Sequence, residues 1–294
     1  MRKKLFFIIY IVFLIIFTIF FVMDTLVISY RYQVVDIKVN NVAEADMGKI
    51  FKTVNSYKDN NIEINIKEYY ENDTTIYVAD IVLKDESYLK TAFAQNAYGK
   101  NITDKTSEIA KNVDAILAIN GDYYGVQETG YVLKNGVIYR NKAKDGQEDL
   151  VIYEDGSLEI INESSISIEE LKNKGAYNIL SFGPALVVNG GLVVNEKTEV
   201  GRAMSSNPRT AIGKISDNHY VFVVSDGRTN ESEGLSVYQL ATFMKEKLNV
   251  QIAYNLDGGG SSTMYFNGEI INNPTTNGNR ISERSVSDIV YIGY

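Results

Sequence analysis

The 294-residue chain contains no cysteine and a single histidine. The first absence removes disulfides, thiolate metal sites and a thiol nucleophile. The second leaves only His219, which excludes a multi-histidine metal centre and deprives a serine–histidine–aspartate relay of support. Acidic residues outnumber basic ones, 37 to 29. A formal net charge of −8, with no lysine- or arginine-rich block after the first four residues, argues against nucleic acid as a partner. Acid–base chemistry must therefore come from carboxylates, tyrosines or lysines. Long apolar runs are missing with one exception, and no repeat or separate second domain is visible. The overall apolar content of 45% is that of an ordinary globular chain with length to spare for a core.

The exception is Leu5 to Met23, preceded by the basic Arg2, Lys3 and Lys4. As a helix it would span about 28 Å, the hydrocarbon thickness of a bilayer. The basic flank predicts a cytoplasmic amino terminus with the remainder outside. Asp24, Thr25 and Leu26 follow without a small-x-small cleavage site, so residues 1–23 read as an uncleaved, single-pass signal anchor in the cell membrane; a cleaved signal peptide is the alternative. Residues 24–59 alternate weakly and read as a stalk, and residues 60–294 as one domain.

Within that domain Ile62, Ile64 and Ile66 alternate with polar residues as a half-buried strand, and Thr75 to Leu83 is a second. Asp104 is a candidate N-cap of a short helix. Asn135-Gly136 and Asp155-Gly156 each mark a hairpin, while Ser167 to Glu170 and Ser236 to Gln239 are capping boxes that open short helices. The fold class this predicts is α+β, a mixed β-sheet domain with a few short helices behind one transmembrane helix. His219 reads as a solvated loop residue.

The chemistry concentrates in polar clusters at strand ends. Ala115 to Ile119 runs into Asn120-Gly121-Asp122-Tyr123-Tyr124, where tyrosine faces suit a sugar. Arg209 lies at a loop-to-strand junction, and Tyr220 to Ser225 ends in Asp226-Gly227-Arg228; such arginines are candidate forks for phosphate or carboxylate. Val250 to Leu256 delivers Asp257, then Gly258, Gly259, Gly260, Ser261 and Ser262. A glycine run between strands permits close approach of a ligand, and its amides with the two hydroxyls could bind an anion. A flexible hairpin tip is the plainer alternative. Glu283-Arg284 precedes the last strand.

The run Asn255 to Met264 resembles the signature of the phosphodiester glycosidase family, and five further segments match in the family's order: 115–124, 181–187, the arginine segments 207–213 and 226–228, and 283–284. The resemblance covers residues 60–294. It implies hydrolysis of a sugar-1-phosphodiester at the anomeric bond, of N-acetylhexosamine type, in a surface glycan or wall polymer. Asn120 and Asp122 would then belong to the active site. A phosphate leaving group needs little general-acid help, so the site must neutralise charge and activate water. Asp257, Asp122 and Glu283 are the candidate catalytic carboxylates. Asn120, Tyr124, Arg209, Asp226, Arg228, Gly258, Gly259, Gly260, Ser261, Ser262 and Arg284 are the candidate substrate-binding residues. No metal ligand set or cofactor is expected; calcium or magnesium on Asp122, Asp226 and Asp257 is the mechanistic rival. The alternative function is a non-catalytic glycan-binding module of exopolysaccharide assembly, using Tyr123, Tyr124 and the glycine turn.

Overall fold

The computed structural model describes residues 2–35, 47–198 and 206–294. Its first element is α1 (Arg2–Leu26), in which an 18-residue stretch has a mean hydropathy of 3.2 and none of its residues buried in the rest of the chain. The helix is long and apolar enough to cross a membrane, a property that a signal sequence shares.

Ten strands carry the fold: β1 (Ile62–Glu71), β2 (Thr74–Leu83), β3 (Leu89–Phe93), β4 (Leu117–Asn120), β5 (Ala185–Val188), β6 (Arg209–Ser216), β7 (His219–Ser225), β8 (Ile252–Leu256), β9 (Met264–Phe266) and β10 (Asp288–Ile292). The larger sheet has nine strands in the order 191–192, β5, β8, β6, β7, β2, β1, 56–58, 51–52; the second has five, in the order 269–270, β9, β4, β10, β3. The protein is α+β, mostly sheet with a few short helices. The expected mixed sheet is antiparallel in every described pairing of these two sheets.

Local sequence explains the hairpins. Asn72 and Asp73 join β1 to β2 with φ of 52° and 51°, and Asn135-Gly136 turns at 51° and 74°. Two consecutive left-handed residues match the twist of paired strands, which asparagine, aspartate and glycine tolerate best. Both capping boxes form as expected, opening α3 (Ile168–Asn173) and α4 (Val237–Glu246). Asp104 is not a cap. Lys105 holds that position before α2 (Thr106–Asn112), and the Asp104 backbone bridges to Val286.

The two large sheets face each other across a core. Tyr220, Phe222 and Val224 of β7 point into it together with Leu117 and Ile119 of β4, while Val221 and Val223 on the opposite face meet Leu240 and Met244 of α4. Covered on both faces, β7 reads as a continuous apolar run. Each large side chain so buried contributes about 2 kcal/mol. His219 departs from expectation: it is the first residue of β7, half-buried, with Nε2 3.0 Å from Asp80 Oδ1. The expected stalk is also shorter than residues 24–59. Strands 51–52 and 56–58 extend the large sheet, Tyr57 is buried, and Tyr30–Val34 pairs with 97–100; the centre of that stretch, 36–46, lies outside the described residues.

Candidate active site

Register brings the polar strand ends together. Arg209 opens β6 opposite Ser225, which closes β7, and Thr210 pairs with Leu256 at the end of β8. Asn120 ends β4 in the other sheet and reaches across: its Nδ2 donates to Asp257 O at 2.6 Å, and its Oδ1 accepts from Thr210 Oγ1 at 2.8 Å and Thr263 N at 3.3 Å. The glycine run is therefore the passage of the chain from one sheet to the other, and Asn120 clamps its entrance. Being fully buried with both ends of its amide engaged, Asn120 positions Asp257 instead of facing a substrate.

Asp257 is partly open, with its side chain 13% exposed, and Arg284, 42% exposed, lies against it: Nη2 is 3.1 Å from Oδ2 and 3.4 Å from Oδ1. Arg284 also donates to Gly258 O at 3.1 Å and through Nε to Ser261 Oγ at 2.9 Å, which fixes the guanidinium in one plane. Arg228 lies beside Gly259, where a Cβ would come within 2.9 Å of its Nη2. It donates to Asn207 Oδ1 at 2.8 Å and to Thr276 O, both neutral acceptors. Burial and then the Arg284 charge lower the pKa of Arg228, and burial and then Arg228 bring that of Arg209 down to about 10. Arg209, Arg228 and Arg284 thus feel one another's field in series, and Arg284 is the one paired with Asp257. Two guanidinium groups, Arg228 and Arg284, beside one partly open carboxylate have the chemistry to receive an anion.

The glycines serve packing more than donation. A Cβ at Gly258 would stand 2.8 Å from Pro208 O, and one at Gly260 2.3 Å from Thr276 Oγ1. The Gly259 amide already donates to Pro208 O, and those of Ser261 and Ser262 close a short turn onto Gly258 and Gly259. The expected row of open amides is thereby reduced to those of Gly258 and Gly260. Ser261 is buried as the brace of Arg284, and Ser262 is buried with an unpartnered hydroxyl.

Other sequence candidates fall elsewhere. Asp122 is buried: Oδ1 accepts from Tyr124 N at 3.0 Å, and Oδ2 accepts from Lys134 Nζ at 3.2 Å and Ser181 N at 3.1 Å. Lys134 Nζ also holds Asp288 Oδ2 at 2.6 Å, and these three side chains are at most 2% exposed. Burial works to lower the Lys134 pKa, but Asp122 and Asp288 outweigh it and hold the ammonium above its ordinary value. Burial, then the Asp122 charge, pushes Asp288 up to about 7 against the pull of Lys134. Lys134 and Asp288 escaped the sequence reading. The usable signals were a lysine ending the apolar Val132–Lys134 strand and an aspartate opening the otherwise apolar β10.

Glu283 turns away from Arg284's partner and caps α2, accepting from Ser107 N at 2.9 Å and Ser107 Oγ at 2.6 Å. Asp226 is saturated by Asn272, the amide and side chain of Asn273, and Tyr77, and so ties down the proline loop. Tyr124 is buried against Tyr98 and Phe93; the exposed ring of the pair is Tyr123, at 43%. Asp122, Asp226 and Asp257, the three offered to a cation, do not converge, and each has its own donors. Among the described residues no cluster of three carboxylate or imidazole side chains is placed to share a metal ion.

Comparison with known proteins agrees with this architecture. The sequence profile of the phosphodiester glycosidase family matches residues 113–293. The chain is 29% identical over 202 residues to the SPbeta prophage-derived uncharacterized protein YomE of Bacillus subtilis (strain 168), covering 67% of this chain and 31% of that protein. It is 28% identical over 184 residues to the N-acetylglucosamine-1-phosphodiester alpha-N-acetylglucosaminidase of Homo sapiens, covering 57% of this chain and 35% of the human protein. The chain thus spans only about a third of the length of these relatives. Among solved structures, the zebrafish N-acetylglucosamine-1-phosphodiester alpha-N-acetylglucosaminidase catalytic domain, auto-inhibited by its pro-peptide, shares the fold with a TM-score of 0.63 at 23% identity over 79% of this chain and 83% of the zebrafish chain. A hypothetical protein from Synechocystis superposes with a TM-score of 0.56 at 15% identity, over 84% of this chain and 64% of that one.

Proposed function

The chain belongs to the phosphodiester glycosidase family, and from that premise we propose that it hydrolyses the anomeric bond of a sugar-1-phosphodiester at the Asp257–Arg284–Arg228 cluster. The observation that carries this reading is the imbalance of charge there: one partly open carboxylate beside guanidinium groups in excess. Asp257 takes the proton of a water that attacks the anomeric carbon. Arg228 and Arg284 bind the phosphate oxygens, whose charge grows as the bond to the sugar breaks, so they favour the transition state over the ground state. The products are a free sugar and a phosphomonoester. Asp122 and Glu283 take no direct part, and the scheme routes no step through a metal.

The same reading places the enzyme outside the cytoplasm, held by α1 with Arg2, Lys3 and Lys4 inside, and acting on an N-acetylhexosamine-type linkage in a surface glycan. The test is turnover of N-acetylglucosamine-1-phosphoalkyl esters by the full chain in detergent, with and without chelator. Free sugar release that survives chelation and vanishes in Asp257→Asn supports the proposal. Glycan binding without turnover on a broad ester panel would instead make the chain a binding module.

A further inference from the structure

The membrane helix and the domain meet without a linker. α1 ends at Leu26, and the Asn101 side chain donates to the carbonyls of Thr25 at 3.1 Å and Ile28 at 3.0 Å, while Ser29 Oγ donates to Asn101 O at 2.8 Å. Strand Tyr30–Val34 then pairs antiparallel with 97–100, so closely that a Cβ at Gly99 would fall 2.0 Å from Tyr30 O. Arg31 reaches Gln95 at 3.3 Å, and the rings of Tyr32 and Tyr98 lie 5.9 Å apart. The helix end is thus built into the domain by side-chain, backbone and ring contacts.

The same contacts lead to the site by two short routes. The Asn101 amide donates to Gly125 O, two residues beyond the exposed Tyr123. Asp104, three residues beyond Asn101, bridges to Val286, two residues from Arg284. Counting at most ~3.6 Å per residue, about 5 Å across the bridge and the reach of the Asn101 side chain places Arg284 within about 30 Å of the helix end. Tyr30 and Tyr32 are exposed beside the apolar helix, where tyrosines suit the headgroup layer. A flexible tether of n residues would let the site roam by roughly 5–6 Å times the square root of n. With no tether, the site can work only in the layer next to the bilayer.

We propose that the substrate is membrane-borne: a sugar-1-phosphate esterified to a lipid alcohol in the same bilayer as the enzyme. This rests on the glycosidase reading and on α1 spanning the membrane. Water oxygen bonds to the anomeric carbon and the bond from that carbon to the phosphate oxygen breaks. Its electron pair leaves with the lipid phosphomonoester, and the water proton passes through Asp257 to solvent. A wall polymer extending tens of nanometres outward lies beyond this reach.

The test uses the full chain in phosphatidylethanolamine–phosphatidylglycerol vesicles. Three arms are compared: N-acetylglucosamine-1-phosphate esterified to a long isoprenoid alcohol in the same vesicles, the same lipid in separate vesicles, and a soluble short-alkyl ester. The expected result is release of sugar from the lipid ester at least about ten-fold faster in shared than in separate vesicles, because confinement raises the effective concentration. A Gly/Ser insertion of about twelve residues between Leu26 and Val27 should reduce the shared-vesicle rate several-fold and leave the soluble ester unaffected. Equal rates in shared and separate vesicles, or cleavage of the soluble ester alone, would overturn the membrane-borne substrate. Cleavage of neither ester would overturn the glycosidase reading beneath it.

Discussion

Two groups of charged side chains lie on either side of the Asn120-Gly121-Asp122 turn, and they are out of balance in opposite senses. On the glycine run, Arg284 lies against the one carboxylate, Asp257, with Arg228 beside them, and Asp257 and Arg284 remain open to solvent. Behind the turn, Asp122 and Asp288 share one ammonium, Lys134, in full burial. The first group is short of negative charge and is reachable, so an anionic substrate can complete it. The second is sealed and short of positive charge, so only a proton can complete it: burial, then the Asp122 charge, pushes Asp288 up to about 7. The two are joined through Gly121, whose amide donates to Asp288 O and whose carbonyl accepts from Asp257 N. Accessibility, more than residue type, separates chemistry from support.

The sharpest break in that contrast comes from removing the charge of each group in turn. Asp257→Asn is expected to lower kcat by ~100- to 10,000-fold, the range of a lost general base, with the melting temperature shifted by no more than about 2 °C. Lys134→Met should do the reverse to stability: two buried carboxylates lose their cation, at a cost of roughly 3–5 kcal/mol and a melting point on the order of 10 °C lower. Calorimetry at pH 7 reads this directly. A loss of turnover in Lys134→Met without loss of stability would show that the buried group belongs to the reaction.

A subtler measurement uses pH. The folded pKa of Asp288, about 7, is above its unfolded value near 4. The native state therefore keeps a proton that the unfolded chain has already released. This stabilisation is complete below about pH 4 and is lost as pH rises toward 7. Urea midpoints should fall between pH 5 and pH 7, by the equivalent of about 2 kcal/mol, and Asp288→Asn should flatten that slope while keeping an oxygen for Lys134. An unchanged slope in the variant would mean that the proton is held elsewhere, for example on Asp149, whose pKa burial and Glu163 raise well above the ordinary range.

The sequence made one side of this contrast easier to read than the other. Turns and helix starts obey local rules, so Asn72-Asp73, Asn135-Gly136 and both capping boxes were legible from a few residues. Asp257 and the arginines were legible because glycine-rich strand ends carry few meanings. The meeting of Lys134 with Asp288, 154 residues away, joins the separate two-stranded sheet of 132–134 and 137–140 to β10 of the five-stranded sheet, a packing no local pattern encodes. Asn120, Asp226 and Ser261 each hold other protein groups, a role their sequence context did not announce: polar residues at the ends of buried strands must satisfy backbone and loop groups there, whether or not a substrate binds.

Glu283 provides the finest test, because it neighbours Arg284 in sequence yet serves another element. Its carboxylate receives both donors of Ser107 in the first turn of α2, where a negative charge also meets the helix dipole. Glu283→Ala should therefore cost about 1 kcal/mol of stability, with kcat within about two-fold of the parent. A loss beyond about a hundred-fold at unchanged stability would restore Glu283 to the chemistry and make it the second carboxylate of the exposed group. The small expected effect follows from the backbone: Arg284 N donates to Gly260 O and anchors that residue to the glycine run, so its neighbour is left to face α2.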